Sequence, residues 1–534
     1  MATMMMSRMM NITPSSSSPP SLATDSLSAP LPLSSSKLPR RTIPGSHGWP
    51  LIGQLSDRLD YFWFQGPDAF FRSRMEKHNC TVFRTNVPPS FPFFSRSVNP
   101  NVIAIVDCKS FSHLFDMEIV EKKDVLVGDF MPSTEFTGGS RVCAYIDTSE
   151  PKHAQIKNFA IDILKRGSNV WVNELHDNLH KFLDAIESDI AKGGSASYSP
   201  HLQDFIFNFL TKSLVGADPA IDPELAKSAP STLNTWIAFQ VLPVMPLRVF
   251  QPLEEIFLHS YTYPFAFIRR DYQKLYNFIE EHGGEVVRRG AEEFGLPLSE
   301  AIHNLIFVLA SDKTGLQARL REEVRKLSDP STSLSFDSVK DMELVNSVVY
   351  ETLRFNPPVT LQYARARKDF ELTSHDSVFD IKKGELLCGY QPLAMRDGKV
   401  FDEPESFKPD RFVGKGKELL NYLFWSNGPQ TGSPSESNKQ CAGKDYVTQS
   451  ASLILANVFE RYDSISGGAD AVYCAFQVTA STSLNKVTKG FWITLERKIA
   501  RGIVQKAKEP DEVSEAYLKG IDIFGIHQLP RNVA

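Results

Sequence analysis

Cys441 lies in a polar loop, Asn438-Lys439-Gln440-Cys441-Ala442-Gly443-Lys444-Asp445, between Trp425-Ser426-Asn427-Gly428-Pro429 and an apolar helical run from Val447 to Phe459. Backbone N–H groups and the dipole at a helix N-terminus favour the thiolate of a cysteine held there. Such a thiolate can serve as the axial ligand of haem iron, donating electron density that promotes O–O cleavage. The plainer reading is a small hydrophobe buried in the core. The residues that precede the loop decide which reading to follow.

Upstream stands Glu351-Thr352-Leu353-Arg354, inside the helical pattern Leu344, Val348, Val349, Leu353. Glu and Arg at i and i+3 share a helix face, and most such pairs are solvated and contribute little. An irregular segment follows, Phe407-Lys408-Pro409-Asp410-Arg411-Phe412, with a second arginine. Glu-x-x-Arg, Pro-Asp-Arg-Phe and Cys-Ala-Gly before a helix, in that order, resemble the cytochrome P-450 (haem-thiolate) superfamily. The resemblance implies haem b (iron protoporphyrin IX) on Cys441. It also implies a buried charge triad of Glu351, Arg354 and Arg411 bracing the loop that carries the cysteine. A buried guanidinium is stable only when its donors are paired, so such a triad is a positional lock.

A chain of 534 residues, 42% hydrophobic with 34 prolines, suits one large α-rich domain with ample core. With the resemblance, the expected class is mainly α with small β-sheets, in the haem-thiolate fold. A net charge of -5 gives no electrostatic case for nucleic acid. The cysteines at 80, 108, 143, 388, 441 and 474 lack paired spacing, so neither a disulfide framework nor a zinc cluster is suggested. Residues 1–40 are rich in Ser, Pro, Met and Ala, contain one acidic residue (Asp25), and end at Lys37 and Arg40-Arg41. That composition resembles a plastid transit peptide, the alternative being a disordered tail without an address. No run approaches the ~18–20 apolar residues of a spanning helix, so membrane association is expected to be peripheral. The expected organisation is a transit peptide at 1–40, a catalytic domain at 41–487 and an extension at 488–534 without family resemblance.

From Arg41-Thr-Ile-Pro-Gly onward, many blocks resemble one branch, the plant fatty-acid hydroperoxide lyases and allene oxide synthases. They include Val87-Pro88-Pro89-Ser90-Phe91-Pro92-Phe93-Phe94, Lys109 through Ser133, Asp147 through His153, Asn356-Pro357-Pro358-Val359, and Tyr422 through Pro429 with its long loop to Cys441. The branch implies neither O2 nor a reductase, because its substrate already contains the O–O bond. Lengthening the approach to the cysteine alters the dipoles near sulfur and hence the iron's potential.

Lys152, His153 and Lys157, at the start of a helix opened by Ser149-Glu150-Pro151, are expected on one face toward the haem propionates. A solvated basic face is the alternative. Arg141 and Lys439 are weaker candidates for the same duty. Phe91, Phe93 and Phe94 lie where the superfamily's substrate-covering loop should be and would line an apolar cleft for the fatty chain, unless they are core. Pro-Pro-x-Phe-Pro-Phe-Phe, Arg141-Val142-Cys143-Ala144-Tyr145 and Leu386-Leu387-Cys388-Gly389-Tyr390 resemble the lyase side of the branch.

The chain departs from that pattern in two places. The central distal helix of the family is about 30 residues long, or about 45 Å. Here Ser299 through Leu309 begins it and passes at once into Ala310-Ser311-Asp312-Lys313-Thr314-Gly315, which resembles the next helix. The expected distal helix is therefore shortened. The segment whose Asn would face the hydroperoxide is missing, and Asn304 stands one or more turns too early. Asp312 and Thr314 are two apart and do not share a helix face. Beyond Val487 the resemblance fades. Both departures are read as marks of a variant transcript or gene model.

The resulting expectation is a plastid 13-hydroperoxide lyase that splits a fatty-acid hydroperoxide homolytically into a short-chain aldehyde and an oxo acid. The alternatives are an allene oxide synthase and an inactive haem-binding or unstable variant.

Overall fold

The computed structural model describes residues 38–87, 98–193, 196, 198–244, 263–308, 324 and 334–461. Helices α1 (Ile52–Leu59) and α2 (Pro67–His78) lead into strands β1 (Val82–Asn86) and β2 (Asn101–Ile105). A short helix α3 (Cys108–Phe111) and strand β3 (Val120–Glu121) precede the helical body. That body comprises α4 (Pro151–Gly193), α5 (Tyr198–Leu210), α6 (Pro223–Val241), α7 (Arg269–His282), α8 (Gly284–Glu292), α9 (Leu298–Val308), α10 (Phe336–Lys340) and α11 (Glu343–Phe355). Strands β4 (Leu361–Ala366), β5 (Phe370–Thr373), β6 (Val378–Ile381) and β7 (Leu386–Tyr390) follow, then α12 (Gln391–Ala394) and α13 (Lys444–Arg461). The class is mainly α with small sheets, as the resemblance implies.

Pro151 opens α4, where a missing N–H costs nothing and the ring's fixed φ suits the first turn. Trp171 of α4 stacks on Tyr446 of α13 with ring centroids 3.6 Å apart and donates its indole N–H to Ser450 Oγ at 3.0 Å. This joins the start of the helical body to the helix behind Cys441. Helix α11 buries Val345, Val348, Val349 and Leu353, and α13 packs on it, on α10 and on α4. Tyr61, Phe62, Phe70, Phe71 and Phe83 build a second core against the sheet, where Phe71 stacks on Tyr390 at 4.3 Å.

One sheet has the order β1-β2-β7-β4-β3 and the other pairs β5 with β6. Strand β7 is central, parallel to β2 and antiparallel to β4, and all five of its residues are buried. Burial on both faces explains the unbroken Leu-Leu-Cys-Gly-Tyr run in place of alternation. Gly389 is obligatory there, because a Cβ would sit 2.3 Å from Phe111 Cε2 and 2.4 Å from Leu114 Cδ1.

The β5–β6 turn carries His375, whose Nε2 lies 2.7 Å from Asp397 Oδ2 and 4.0 Å from Asp107 Oδ1. The three ligand-type atoms come within 4.8 Å of one another, as a metal set would. The carboxylates are already engaged by internal donors: Ser110 N and Thr81 Oγ1 on Asp107, Cys108 N and Lys399 N on Asp397. The cluster is an ionic clasp joining the hairpin to the N-cap of α3. The hydrogen-bonded Asp397 holds His375 above its ordinary value, against burial and with help from Asp107. A raised folded value means that its contribution is complete below the unfolded value of about 6.5 and is lost as pH rises through the folded value. His375→Gln is therefore expected to cost on the order of 1 kcal/mol at about pH 5.5 and much less at about pH 9, read from urea denaturation at the two pH values.

Candidate active site

Glu351 and Arg354 have no exposed side-chain surface, and Arg411 is nearly as buried. Arg354 donates Nε to Glu351 Oε2 at 2.7 Å and one Nη to Oε1 at 2.8 Å. Its remaining bonds go to the carbonyls of Met395, Pro404 and Ser406 at 2.8, 2.9 and 3.3 Å. Arg411 Nε reaches both Glu351 oxygens at 3.0 Å, and its Nη groups bind the carbonyls of Asp402, Glu403 and Ser406. Lys408 N adds a bond to Glu351 at 2.9 Å, and Phe412 N bonds Ser347 Oγ at 2.9 Å. The three side chains that the motifs singled out thus meet, and they tie residues 402–412 to α11. Their i, i+3 spacing on an ordinary helix face gave no hint that the pair is buried.

From Phe412 the chain reaches the loop of interest. Cys441 N donates to Ser426 O at 2.9 Å, Gln440 Nε2 to Pro429 O at 2.7 Å, and Trp425 Nε1 to Gln430 Oε1 at 2.7 Å. Helix α4 grips the same loop from the side. His153 Nδ1 lies 3.1 Å from Glu436 O, Asn158 Nδ2 donates to Glu436 Oε2 at 2.8 Å, and Lys157 Nζ donates to Gln440 O. Cys441 keeps accessible surface. Burial pushes its thiol up, while the Gly443 N–H and the charges of Lys157 and Lys444 pull it back.

The basic candidates divide. Lys152 turns to α9 and pairs with Glu300 Oε2 at 2.7 Å, whereas His153 and Lys157 turn to the cysteine loop. Arg141 is engaged by Glu150 at 2.6 Å, by Asp124 at 2.8 Å and by the Tyr145 carbonyl at 2.6 Å. Lys439 donates to the carbonyls of Cys143 and Ile146 at 2.5 and 2.7 Å. A lysine that the sequence reading passed over joins them: Lys122, buried, donates to Asn427 Oδ1 at 2.7 Å. Its only sequence signal was its place between the apolar Val120 and Val125.

Among the described residues Lys122, Lys157 and Lys439 form no ion pair, and His153 Nε2 is buried with no hydrogen-bond partner. The groups depress one another. Lys122 is pushed down to about 7 by burial and Lys439, and Lys439 to about 8, chiefly by burial. His153 falls to about 4 through burial, Lys439 and Lys157. Asp147 and Glu150 offset the burial of Lys439 only in part, and a further anion placed among these groups would oppose every one of these shifts. The donor set fits a cofactor that brings carboxylates and a metal for the Cys441 sulfur, as haem does.

On α9, His303 Nδ1 lies 2.6 Å from Tyr272 Oη, and its Nε2 would stand 2.0 Å from a Cβ on Gly138, where φ is +63°. Burial pushes His303 down to about 4. Asn304 donates to the Glu300 carbonyl at 2.9 Å within its own helix. Phe91, Phe93 and Phe94, the Leu309–Ser311 junction, and residues 462–534 lie outside the described residues.

Residues 298–466 match the family model described as Cytochrome P450. The crystal structure of the cytochrome P450DA haem domain superposes with a TM-score of 0.57 at 14% identity, covering 79% of this chain and 91% of that one. Linolenate hydroperoxide lyase, chloroplastic, of Arabidopsis thaliana is 58% identical over 475 residues, 85% of this chain and 96% of the relative. A probable inactive linolenate hydroperoxide lyase of the same plant is 56% identical over 377 residues, 67% of this chain and 98% of the relative. Allene oxide synthase 1, chloroplastic, of Solanum lycopersicum is 42% identical over 486 residues, 87% of this chain and 90% of the relative. The fold is that of the cytochrome P450 proteins, which hold haem. Within that class the chain belongs to the fatty-acid hydroperoxide lyase family.

Removing Glu351 leaves two buried guanidinium groups facing each other. Glu351→Ala is expected to cost about 3–5 kcal/mol, measured as a fall in thermal midpoint and in bound haem, with Glu351→Gln separating charge from shape.

Proposed function

We propose that this chain is a chloroplast 13-hydroperoxide lyase, cutting the hydroperoxide of a polyunsaturated fatty acid into a short-chain aldehyde and an oxo acid. The observation that carries the reading is identity of 58% to a lyase against 42% to a synthase, laid over a chain that keeps the long Cys441 loop. When bound, haem supplies the one-electron O–O cleavage, so the protein needs neither O2 nor a reductase for this substrate.

The chain's own part is holding and excluding. Cys441 would present its sulfur to the haem iron from a loop fixed by Ser426 and by α4. Lys122 and Lys439 are assigned to the cofactor's carboxylates as buried ammonium groups without an ion pair among the described residues, and His153 Nε2 joins them as a donor only when a nearby carboxylate protonates the ring, since Nδ1 already faces the Glu436 carbonyl. Lys152 and Arg141 are assigned to bracing, Lys152 on α9 through Glu300 and Arg141 at the mouth of α4 through Glu150. Phe91, Phe93 and Phe94 are assigned to the fatty chain on their aromatic character alone.

Residues 1–40 are read as a plastid address, 41–487 as the catalytic unit and 488–534 as an appendage. Among the described residues no helix is long and apolar enough to cross a membrane. Peripheral attachment to a plastid membrane is supported by Trp49, Ile52 and Phe64, which stand 79%, 70% and 75% exposed.

A second reading, a haem protein without turnover, is favoured by the shortened stretch after Leu309. Purified protein fed 13-hydroperoxy linolenate separates the readings. Volatile hexenal marks the lyase, α-ketol marks the synthase, and unconsumed peroxide marks the inactive form. Cys441→Ala is expected to abolish both thiolate ligation and peroxide consumption. Lys122→Met is expected to speed haem loss to apomyoglobin about tenfold, the equivalent of about 1.4 kcal/mol.

A further inference from the structure

Pro39, Arg40 and Arg41 stand at the border between the leader-like stretch and the fold, and their contacts place them inside the fold. Val378 N donates to Pro39 O at 3.0 Å and Arg41 N to Val378 O at 2.9 Å, a parallel bridge that sets Arg40 beside β6. Strand β6 is thus flanked by residues 39–41 on one edge and by β5 on the other. Proline is tolerated at this outer edge because only its carbonyl takes part in the pairing.

Glu371 of β5 and Asp380 of β6 stand directly opposite each other in the antiparallel register, and like charges so placed destabilise a strand pair. The Arg40 guanidinium forks between them, one Nη on Asp380 and the other on Glu371. Both pairs are half-exposed, and an isolated pair of that kind contributes little. Here the two together offset a repulsion built into the sheet. Arg41 turns the other way. Its Nη groups donate to the carbonyls of His78 and Asn79 at 3.0 Å each, closing the C-terminus of α2, where orphan carbonyls and the helix dipole favour a cation. Further on, Arg84 N donates to Pro44 O at 2.8 Å, and Gly45 lies so near β1 that a Cβ would sit 2.5 Å from Arg84 O. Residues 39–45 therefore staple the β5–β6 hairpin, α2 and β1 in succession.

We propose that Arg40-Arg41 is a clamp kept in the mature protein, and that proteolytic removal of the leader stops on the N-terminal side of Pro39. This rests on the reading of the N-terminal stretch as a plastid address, and it moves the end of that address back from residue 40 to before residue 39. The two arginines that close the basic end of the leader by composition belong by contact to the catalytic unit. A processing protease acts on an open, unpaired segment, whereas the backbone at Pro39, Arg41, Pro44 and Gly45 is already engaged by β6 and β1.

The test imports the full-length precursor into isolated chloroplasts and reads the N-terminus of the mature product by mass spectrometry. The expected product retains Pro39, Arg40 and Arg41, and a mature N-terminus at Arg40 or any later residue overturns the proposal. The clamp is read separately on the purified full chain, as the initial rate of tryptic cleavage after Arg40 and Arg41. Combining Glu371→Gln with Asp380→Asn, two exposed changes that keep hydrogen-bond acceptors, is expected to raise that rate about fivefold. Equal rates in the parent and the double variant overturn the clamp. So does a rise matched at tryptic sites throughout the chain, which reports general loosening. Absence of import or of cleavage overturns the plastid address, and the processing limit with it, while the tryptic rates still decide the clamp.

Discussion

The Glu351 carboxylate is the point on which the site turns. It has no exposed surface and takes bonds from two guanidinium groups and from the backbone N–H of Lys408. In a medium that poorly screens charge, such a set tolerates only one arrangement, because moving any member strands a buried charge. Arg354 and Arg411 extend that rigidity outward through the carbonyls of Met395, Asp402, Pro404 and Ser406. A stretch with little regular secondary structure is thereby held as firmly as a helix, and it delivers the chain to Trp425 and then to Cys441. The lock acts by position more than by net stabilisation, since desolvating three charges offsets much of their attraction.

Helix α4 supplies the opposing jaw. Its first turns hold the loop at Glu436 and Gln440, while Trp171 further along stacks on Tyr446 of the helix that leaves Cys441. The cysteine is thus bracketed before and behind by one rigid element. The same helix start reaches the distal side through Lys152 and Glu300, so one element sets the spacing between the sulfur and α9. Concentrating buried ammonium groups near this point costs desolvation free energy that the protein alone does not recover. Buried ammonium groups without ion pairs among the described residues fit a cofactor that arrives with carboxylates and a metal that takes a thiolate.

Glu351, Arg354, Arg411 and Cys441 were legible because their residue types and spacing are unusual together, and the structure brings the first three into contact. The basic residues were legible only as a class. Nothing local to Lys152 or Arg141 reveals Glu300 or Asp124 as a partner, since these lie in other segments. Lys122 was passed over because a lysine near a short strand is ordinarily solvated, and only the packing of the 427 turn over it makes it a buried donor. The His375 clasp was invisible for the same reason, its three members being brought together from three separate segments. The five-residue run of β7 shows the reverse case, where composition recorded burial on both faces but could not name the neighbours that forbid a side chain at Gly389.

By itself the sequence determined the helical class and the branch of the family and singled out Cys441 as the proposed ligand, because these depend on residue type at fixed spacing along one chain. Only the tertiary structure decided which cations remain free to meet an anion and which are consumed by internal partners. That outcome is a sum of pairwise electrostatic contacts between segments far apart in the chain, and no local pattern encodes it.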